Sequence, residues 1–505
     1  MNRLTLLPAA LAAALLASGC ANLAPPYSRP AAPLPADWSA AVPGTVPAAS
    51  APQDVPAASA PTSPAAPNQA NAPGPTVAAD AAAALAWREF FTEPRLRSTI
   101  ELALANNRDL RVAALNIERA RAQFRIQEAA GLPAVNATGS GNNQRQPASV
   151  SASGEARTTS TYSAQLAISA YELDFFGRVR NLSDAALQTF FATEHNRRTT
   201  QIALVADTAT AWLNLAADQQ RLLLARQTLK ARQDAYDLTR RAYELGGQSG
   251  LTLAQAQTTV DSARVDVAAF TTQVQQSRNA LELLAAGPVP TALLPDGAIE
   301  RPVAALVELP AALPSSVLQQ RPDVMAAESL LRGTQASIGA ARAAFFPRIT
   351  LTAAAGVASG ELSALFGGGN GAWSFVPSIS LPIFNAGSNQ ANLDVATAQR
   401  DIQLATYEKT LQVAFREVAD ALAQRSTLAE RLASQQSLTE ATGRTLQLSQ
   451  ALFRSGAYSF LEVLDAQRSL YTAQQALITL RLAEQANRLT LYRVLGGGWQ
   501  EGTGG

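Results

Sequence analysis

The chain has one cysteine, one histidine and two methionines among its 505 residues. A single cysteine excludes an intramolecular disulfide and any thiolate cluster. A single histidine argues against a histidine-built metal site or a Ser-His-Asp triad. Charge is sparse and balanced, with 40 Lys and Arg against 39 Asp and Glu, so there is no whole-chain basis for nucleic-acid binding. Past the N-terminus no run of about eighteen apolar residues occurs, which argues against a bundle of transmembrane helices. What remains is a large soluble chain, or one whose membrane portion is a β-barrel.

The start of the chain reads as an address. Met1-Asn2-Arg3 is a short basic region, Leu4 to Ala17 is apolar, and Ala17-Ser18-Gly19 leads into Cys20. That is the anatomy of a signal peptide, 1–19, cut ahead of a cysteine. It resembles a bacterial lipobox in which Cys20 carries the lipid, with Ala17 where such boxes usually have leucine. By the same resemblance, Ala21 in second place favours the outer membrane. Residues 20–86 are then a lipid-anchored segment and tether. From Ala24 to about Ala79 it is Pro, Ala, Ser and Thr with almost no charge, a composition that blocks helices and leaves little to bury. Its two aromatics, Tyr27 and Trp38, are the expected points of contact with the folded body.

The rest is organised as a repeat. Asn107-Arg108-Asp109-Leu110, followed by a helical pattern up to Leu132-Pro133, recurs as Arg321-Pro322-Asp323-Val324 followed by a pattern up to Phe346-Pro347. Tyr243-Glu244-Leu245-Gly246 recurs as Phe453-Arg454-Ser455-Gly456. Each half reads helix, two strands, very long helix, turn, helix, which suggests duplication. The expected division is a first repeat at 87–286, with a strand hairpin at 134–175 and a helical hairpin at 178–286. A linker at 287–320 follows. The second repeat covers 321–495, with hairpins at 347–384 and 390–494, and 496–505 form a tail.

The strands alternate. Tyr162, Ala164, Leu166 and Ile168 face away from Ser163, Gln165 and Ser169; Ile349, Leu351, Ala353, Ala355 and Val357 face away from Arg348, Thr350 and Thr352. Trp373, Phe375, Ile379 and Leu381 alternate with Ser374, Ser378 and Ser380, and Asn136, Thr138 and Ser140 form the polar side of a weaker strand. Such runs suit a transmembrane β-strand, and equally a soluble sheet with one wet face. Four strands cannot close a barrel, so in a membrane other copies must complete the wall.

From Arg178 to Glu244 there is neither proline nor glycine, which predicts a helix of roughly 100 Å at 1.5 Å per residue. Ile202, Val205, Ala209, Trp212 and Ala216 form a seam, matched by Leu404, Tyr407, Leu411, Ala414 and Val418. This spacing asks for coiled-coil packing.

The sequence resembles the TolC-like outer-membrane factor superfamily, specifically the lipoprotein (NodT-type) branch serving resistance-nodulation-division (RND) efflux pumps. The resemblance rests on Trp87 to Phe91, Leu102 to Val112, Leu313-Pro314 with Arg321 to Val324, Ile338 to Pro347, and the turns at Gly246 and Gly456. It implies a mixed α/β membrane protein: a homotrimer whose shared twelve-stranded transmembrane barrel, four strands per chain, continues into a periplasmic helical barrel with an equatorial region. It also implies a passive duct for drugs or other toxic small molecules, working with a periplasmic adaptor and an inner-membrane RND transporter. No cofactor, metal or nucleic acid is implied. A duct for type I protein secretion, and a coiled-coil structural or adhesion lipoprotein, remain as alternatives.

The resemblance assigns adaptor contact to the tips, where Arg241, Tyr243, Glu244, Gly246, Phe453, Arg454, Gly456 and Asp465 are the candidates. A periplasmic aperture is expected from Glu440, Arg444, Gln447 and Leu448, or from Asp234 and Asp237. Other features read as structure. Gly367 to Gly371 lacks the Lys-Ser/Thr ending of a phosphate loop. His195 has no cysteine or second histidine beside it and is expected at the surface. Glu172 and Asp174 mark a strand-to-helix crossover. With no nucleophile, cofactor loop or ligand cluster, no enzyme activity is expected.

Overall fold

A computed structural model describes residues 22–36, 38, 86–152, 154–297, 303–304, 314–457 and 459–497. The signal peptide, Cys20, residues 39–85, most of the linker after 297 and the tail from 498 lie outside the described residues. The chain divides into two compact units. One contains the N-terminal segment to Ala31 with Asn116–Glu194 and Ala326–Tyr407; the other contains Ala32–Leu115, His195–Met325 and Glu408 onward.

In chain order the elements are α1 (Trp87–Phe90), α2 (Pro94–Asn106), α3 (Arg108–Ala129), β1 (Val135–Gln146), β2 (Arg157–Leu173), α4 (Arg178–Glu244) and α5 (Gly250–Leu284). They continue as α6 (Pro322–Ala343), β3 (Arg348–Ser359), β4 (Gly371–Ser380), α7 (Ser388–Arg454) and α8 (Phe460–Val494). Helices α3 and α6 both have 22 residues, α4 and α7 both 67, and α5 and α8 both 35. The repeated motifs are helix starts. Asn107 accepts from the Asp109 and Leu110 amides at 2.9 and 3.0 Å, capping α3. Pro322 occupies the first position of α6, where its missing N–H costs nothing.

In the strand unit the four strands form one antiparallel sheet in the order β1-β2-β3-β4. Directly opposed residues share a face, so register decides what each face carries. Val135 pairs with Ile168, Leu166 with Ala355, and Ala353 with Phe375. These pairings gather Tyr162, Leu166, Ile168, Leu351, Val357, Trp373, Phe375 and Ile379 on one face. Thr138, Ser140, Ser163, Gln165, Thr350, Ser374 and Ser378 lie on the other. A bulge at Ser169–Ala170, where Ala170 has φ 51°, puts one extra residue in β2 between Ile168 and Tyr171. The bulge returns Tyr171 and Leu173 to the apolar face. The Ala170 amide donates to Thr352 Oγ1 at 3.2 Å, so the irregularity is hydrogen-bonded.

The N-terminal segment lies against this unit. Glu328 of α6 accepts from Tyr27 Oη (2.9 Å), from Arg29 Nε and Nη2 (3.0 Å each) and from Arg332 (2.6 Å). Arg332 also lies over the Tyr27 ring, 4.7 Å from its centroid. The Glu328 side chain is only 5% exposed. Burial alone would raise its pKa, but the hydrogen bonds from Arg29, Tyr27 and Arg332 hold it below the ordinary carboxylate value.

The second unit is built on Trp87, Phe90, Phe91, Ile100, Val205, Trp212, Leu281 and Tyr492. Phe90 stacks on Tyr492 at 4.0 Å, and Trp212 Nε1 donates to the Leu293 carbonyl at 3.0 Å. Trp38 is buried here: its ring stacks on Phe415 at 5.1 Å while Nε1 donates to the Phe415 carbonyl. Leu411, Ala414 and Val418 of the predicted seam are fully buried. His195 is half-buried rather than on the open surface.

Candidate functional site

Two regions carry functional chemistry. The first is the sheet. Its polar face has hydroxyl and amide side chains, with Ser140 Oγ and Ser163 Oγ 2.8 Å apart and Thr138 Oγ1 donating to the Gln165 carbonyl. The apolar face is open, and Trp373 at its edge is 81% exposed. An uncovered apolar face this large needs a non-aqueous neighbour. β1 and β4 have partners on one side only, so the sheet presents two free edges.

Where β2 and β3 meet the helices, Glu172 forms a two-pronged pair with Arg178 at 2.8 and 2.7 Å and also binds Arg348 at 2.7 Å. Asp174 accepts from the Arg180 amide and caps α4. Arg348, which its place beside Phe345-Phe346-Pro347 marks as able to pair with an acid, finds Glu172 from the other half of the chain, and no local signal singles out Glu172 as the hub.

The second region is the pair of helix tips. Gly246 has φ 73° and Gly456 φ 77°. At the first tip Gly246 N–H donates to Tyr243 O and Gly247 N–H to Ala242 O; at the second, Gly456 donates to Phe453 O and Ala457 to Leu452 O. Both are Schellman ends, with glycine at the left-handed position. Ser249 then caps α5 by accepting from the Thr252 amide at 3.1 Å. Ser459 donates instead to the Glu462 carboxylate, which holds Glu462 below its ordinary pKa.

Of the tip candidates, Arg241, Tyr243, Glu244, Gly246, Arg454, Gly456 and Asp465 are exposed. Phe453 is half-buried and packs on Phe460, joining a small core with Ala256 and Val463. Asp465 pairs with Arg468. Among the aperture candidates, Glu440, Arg444, Gln447 and Leu448 are exposed on α7 and their spacing puts them on one helix face; Asp234 is exposed and Asp237 half-buried on α4.

Behind the tips lies an open groove of about 1040 Å³ whose lining includes Arg232, Asp266, Thr442, Asp465 and Tyr471. Arg232 is buried, donates to the Thr259 carbonyl at 3.0 Å and lies over the Tyr471 ring. Burial, then the neighbouring Asp266 carboxylate, push the Tyr471 phenol up to about 12. This cluster joins α4, α5 and α8, and no local sequence signal announces it.

Among the described residues no group of three or more His, Cys, Asp and Glu is placed to hold a metal. No described helix is long and apolar enough to cross a membrane. A two-faced, open-edged sheet in a chain that also carries two long helical hairpins defines the class: a channel subunit whose membrane portion is β-sheet.

Comparison with known proteins gives the family. The outer membrane efflux protein profile matches residues 99–287 and 313–497. A probable efflux pump outer membrane protein, TtgC of Pseudomonas putida, is 47% identical over 492 residues, covering 97% of this chain and 95% of that protein. The cation efflux system protein CusC of Escherichia coli is 40% identical over 503 residues, covering 99% of this chain and 100% of that protein. Among solved structures, a membrane protein from Pseudomonas aeruginosa superposes with a TM-score of 0.84 at 39% identity, over 96% of this chain and 99% of that one. The open-state MtrE outer membrane channel of Neisseria gonorrhoeae gives 0.78 at 35%, over 95% and 99%. The chain belongs to the outer membrane efflux protein family and has the TolC-like mixed α/β fold. It is an outer-membrane channel.

Proposed function

We propose that three copies close their sheets into a twelve-stranded barrel and serve as the exit duct of a tripartite RND pump. The observation that carries this is the two-faced sheet with free edges at β1 and β4. In a bilayer the apolar face meets lipid, the polar face lines a water-filled lumen, and neither edge can stay open. From Tyr162 to Leu173, at about 3.3 Å per residue and a tilt of about 40°, the apolar face covers roughly 25 Å, the height of an outer-membrane apolar band. Under this reading the repeats at 87–286 and 321–495 each supply two strands and one helical hairpin, joined through 287–320.

The tips dock a periplasmic adaptor, with Arg241, Tyr243, Glu244, Gly246, Arg454, Gly456 and Asp465 at the contact and Phe453 supporting it from behind. Glu440, Arg444, Gln447 and Leu448 narrow the closed end, with Asp234 and Asp237 as a second ring. Cys20 carries the lipid anchor. The cargo is drug-like or solvent-like organic molecules, a reading supported by relatives named for antibiotic and toluene efflux at 47% identity. Met1 and Met325 are the only methionines, so the chain offers no thioether path for a soft metal ion.

The test is deletion in the native host, with parallel ducts also removed, and accumulation of a fluorescent efflux substrate before and after complementation. Accumulation should rise on deletion and fall on complementation. Unchanged accumulation, or purified protein that gives no conductance in a planar bilayer, would sink the proposal.

A further inference from the structure

Toward the hairpin end of the sheet, the apolar face carries a shallow dent of about 610 Å³. Two cross-strand rows line it, Ala137–Leu166–Ala355 and Gly139–Ala164–Val357. Ala137, Gly139, Ala164 and Ala355 carry no atom beyond Cβ and make the floor. Leu166, Val357 and Phe366 form the walls. Phe366 comes from the turn between β3 and β4 and is 82% exposed. Further toward the β1–β2 hairpin the same face changes character. The row Gly141–Tyr162 is followed by Asn143–Ser160 and then Arg145–Thr158, and alternation keeps all three on the side of Leu166. Tyr162 Oη donates to Asn143 Oδ1 at 3.4 Å. Arg145 is exposed and makes no ion pair among the described residues. Arg157, the other arginine of this hairpin, has the opposite parity on β2 and lies on the polar face. Glu155 and Glu361 lie in the turns, outside the paired rows.

We propose that this strip binds a phosphorylated, multiply acylated glycolipid of the outer leaflet. One acyl chain fills the dent, Tyr162, Asn143 and Ser160 meet sugar hydroxyls, and Arg145 meets a phosphate in a charge-assisted contact. The heights agree. From Thr138, level with the middle of the dent, to Arg145 is about 23 Å of strand, or roughly 18 Å of height at a tilt of about 40°. One leaflet of hydrocarbon is about 15 Å deep, so a chain lying in the dent brings its headgroup to the Asn143 and Arg145 rows. A simple phospholipid offers the phosphate and the chains but no sugar for the amide and hydroxyl row. The inference rests on the reading that the apolar face meets lipid with the hairpins outermost, and goes beyond it by giving one class of lipid a fixed place on that face.

The test is native mass spectrometry of the full-length protein, extracted from outer membranes in mild detergent and delipidated. Lipid A, phosphatidylglycerol and phosphatidylethanolamine are added in turn. Lipid A should bind best, up to one molecule per chain. Arg145→Gln should lower its occupancy about fivefold below saturation, a charge-assisted contact discounted for exposure. Ala355→Phe, which fills the dent from the lipid side, should lower it comparably. Arg157→Gln, one row further out on the opposite face, should leave it unchanged. Equal losses from the two arginine variants would reduce the binding to general charge and overturn the site. Phosphatidylglycerol binding as tightly, with the same dependence on Arg145, would overturn the glycolipid assignment. An oligomer that shows no preference for lipid A would overturn this inference and leave the channel standing. A chain that stays monomeric and soluble without detergent would overturn the channel reading and this inference together.

Discussion

Gly339 of α6 and Ala24 of the N-terminal segment are in backbone contact so close that a Cβ on Gly339 would stand 2.7 Å from the Ala24 nitrogen and 2.8 Å from its Cα. The same Cβ would meet the Asn181 amide nitrogen at 2.7 Å. Nothing flexible can yield without moving the segment. Gly339→Ala should displace residues near Ala24 at a cost of about 1–3 kcal/mol. Chymotryptic cleavage after Tyr27 should speed up in the variant, with the rest of the chain resisting as before. Unchanged cleavage would mean that the segment is not held there.

Glu328 makes the same docking dependent on pH. Its folded pKa is depressed, so its contribution is fully present above the ordinary carboxylate value and is lost as pH falls through the lower, folded one. A spin label at Ser28→Cys should therefore be immobile at neutral pH and gain mobility in the acid range below the unperturbed carboxylate pKa. Glu328→Gln loses charge-assisted bonds worth about 1–3 kcal/mol, toward the low end because Arg29 is partly exposed. With this substitution the label should be mobile at neutral pH already. A label whose mobility ignores both pH and substitution would contradict the role given to Glu328.

Alternation along β3 and β4 is legible in the sequence because a period of two needs only neighbours. The bulge in β2 is not: Ala170 takes a left-handed φ that alanine seldom adopts, and only Thr352, on another strand, satisfies its amide. Likewise Tyr27 and Trp38 stand out as the aromatics of a Pro/Ala run, while their partners Glu328 and Phe415 lie hundreds of residues away. The tips are legible through glycine and spacing. Arg232 on Tyr471, and Glu172 between two arginines, arise only when distant segments pack.

Gly356 on the polar face of β3 is a further fixed point. A Cβ there would lie 2.2 Å from the Ala164 carbonyl oxygen and 2.5 Å from the Gln165 Cα. Gly356→Val should force β2 and β3 apart, costing at least about 3 kcal/mol, and should abolish oligomers that resist SDS without heating. Ser374→Val, on the same face of the neighbouring strand, should leave them intact. Equal yields from the two variants would refute the close approach.

Arg321 ties three segments together. Its guanidinium binds Asp323 at 3.0 and 2.7 Å, Glu417 at 3.0 Å and the Val494 carbonyl at 2.8 Å, satisfying one of the last carbonyls of α8. A lysine has no planar fork to serve all three partners. Arg321→Ala should cost about 2–3 kcal/mol, reduced from the value for a fully buried pair because Glu417 is a third exposed. Arg321→Lys should recover less than half of the lost thermal midpoint. Full recovery would show that charge alone suffices.

At the tips, Gly246 and Gly456 have left-handed φ and open space around them, with nothing within 4 Å of a built Cβ. Alanine at either position should cost only the backbone term, about 1 kcal/mol, and leave efflux unchanged. Bulk is a different matter if an adaptor seats against these turns. Gly246→Trp with Gly456→Trp, each side chain projecting from the turn, should keep normal amounts of trimer in the outer membrane yet raise accumulation of a fluorescent substrate toward the deletion level. Adaptor crosslinking near these turns should fall in parallel. Wild-type efflux from the double tryptophan chain, at equal membrane abundance, would place the docking surface away from the tips.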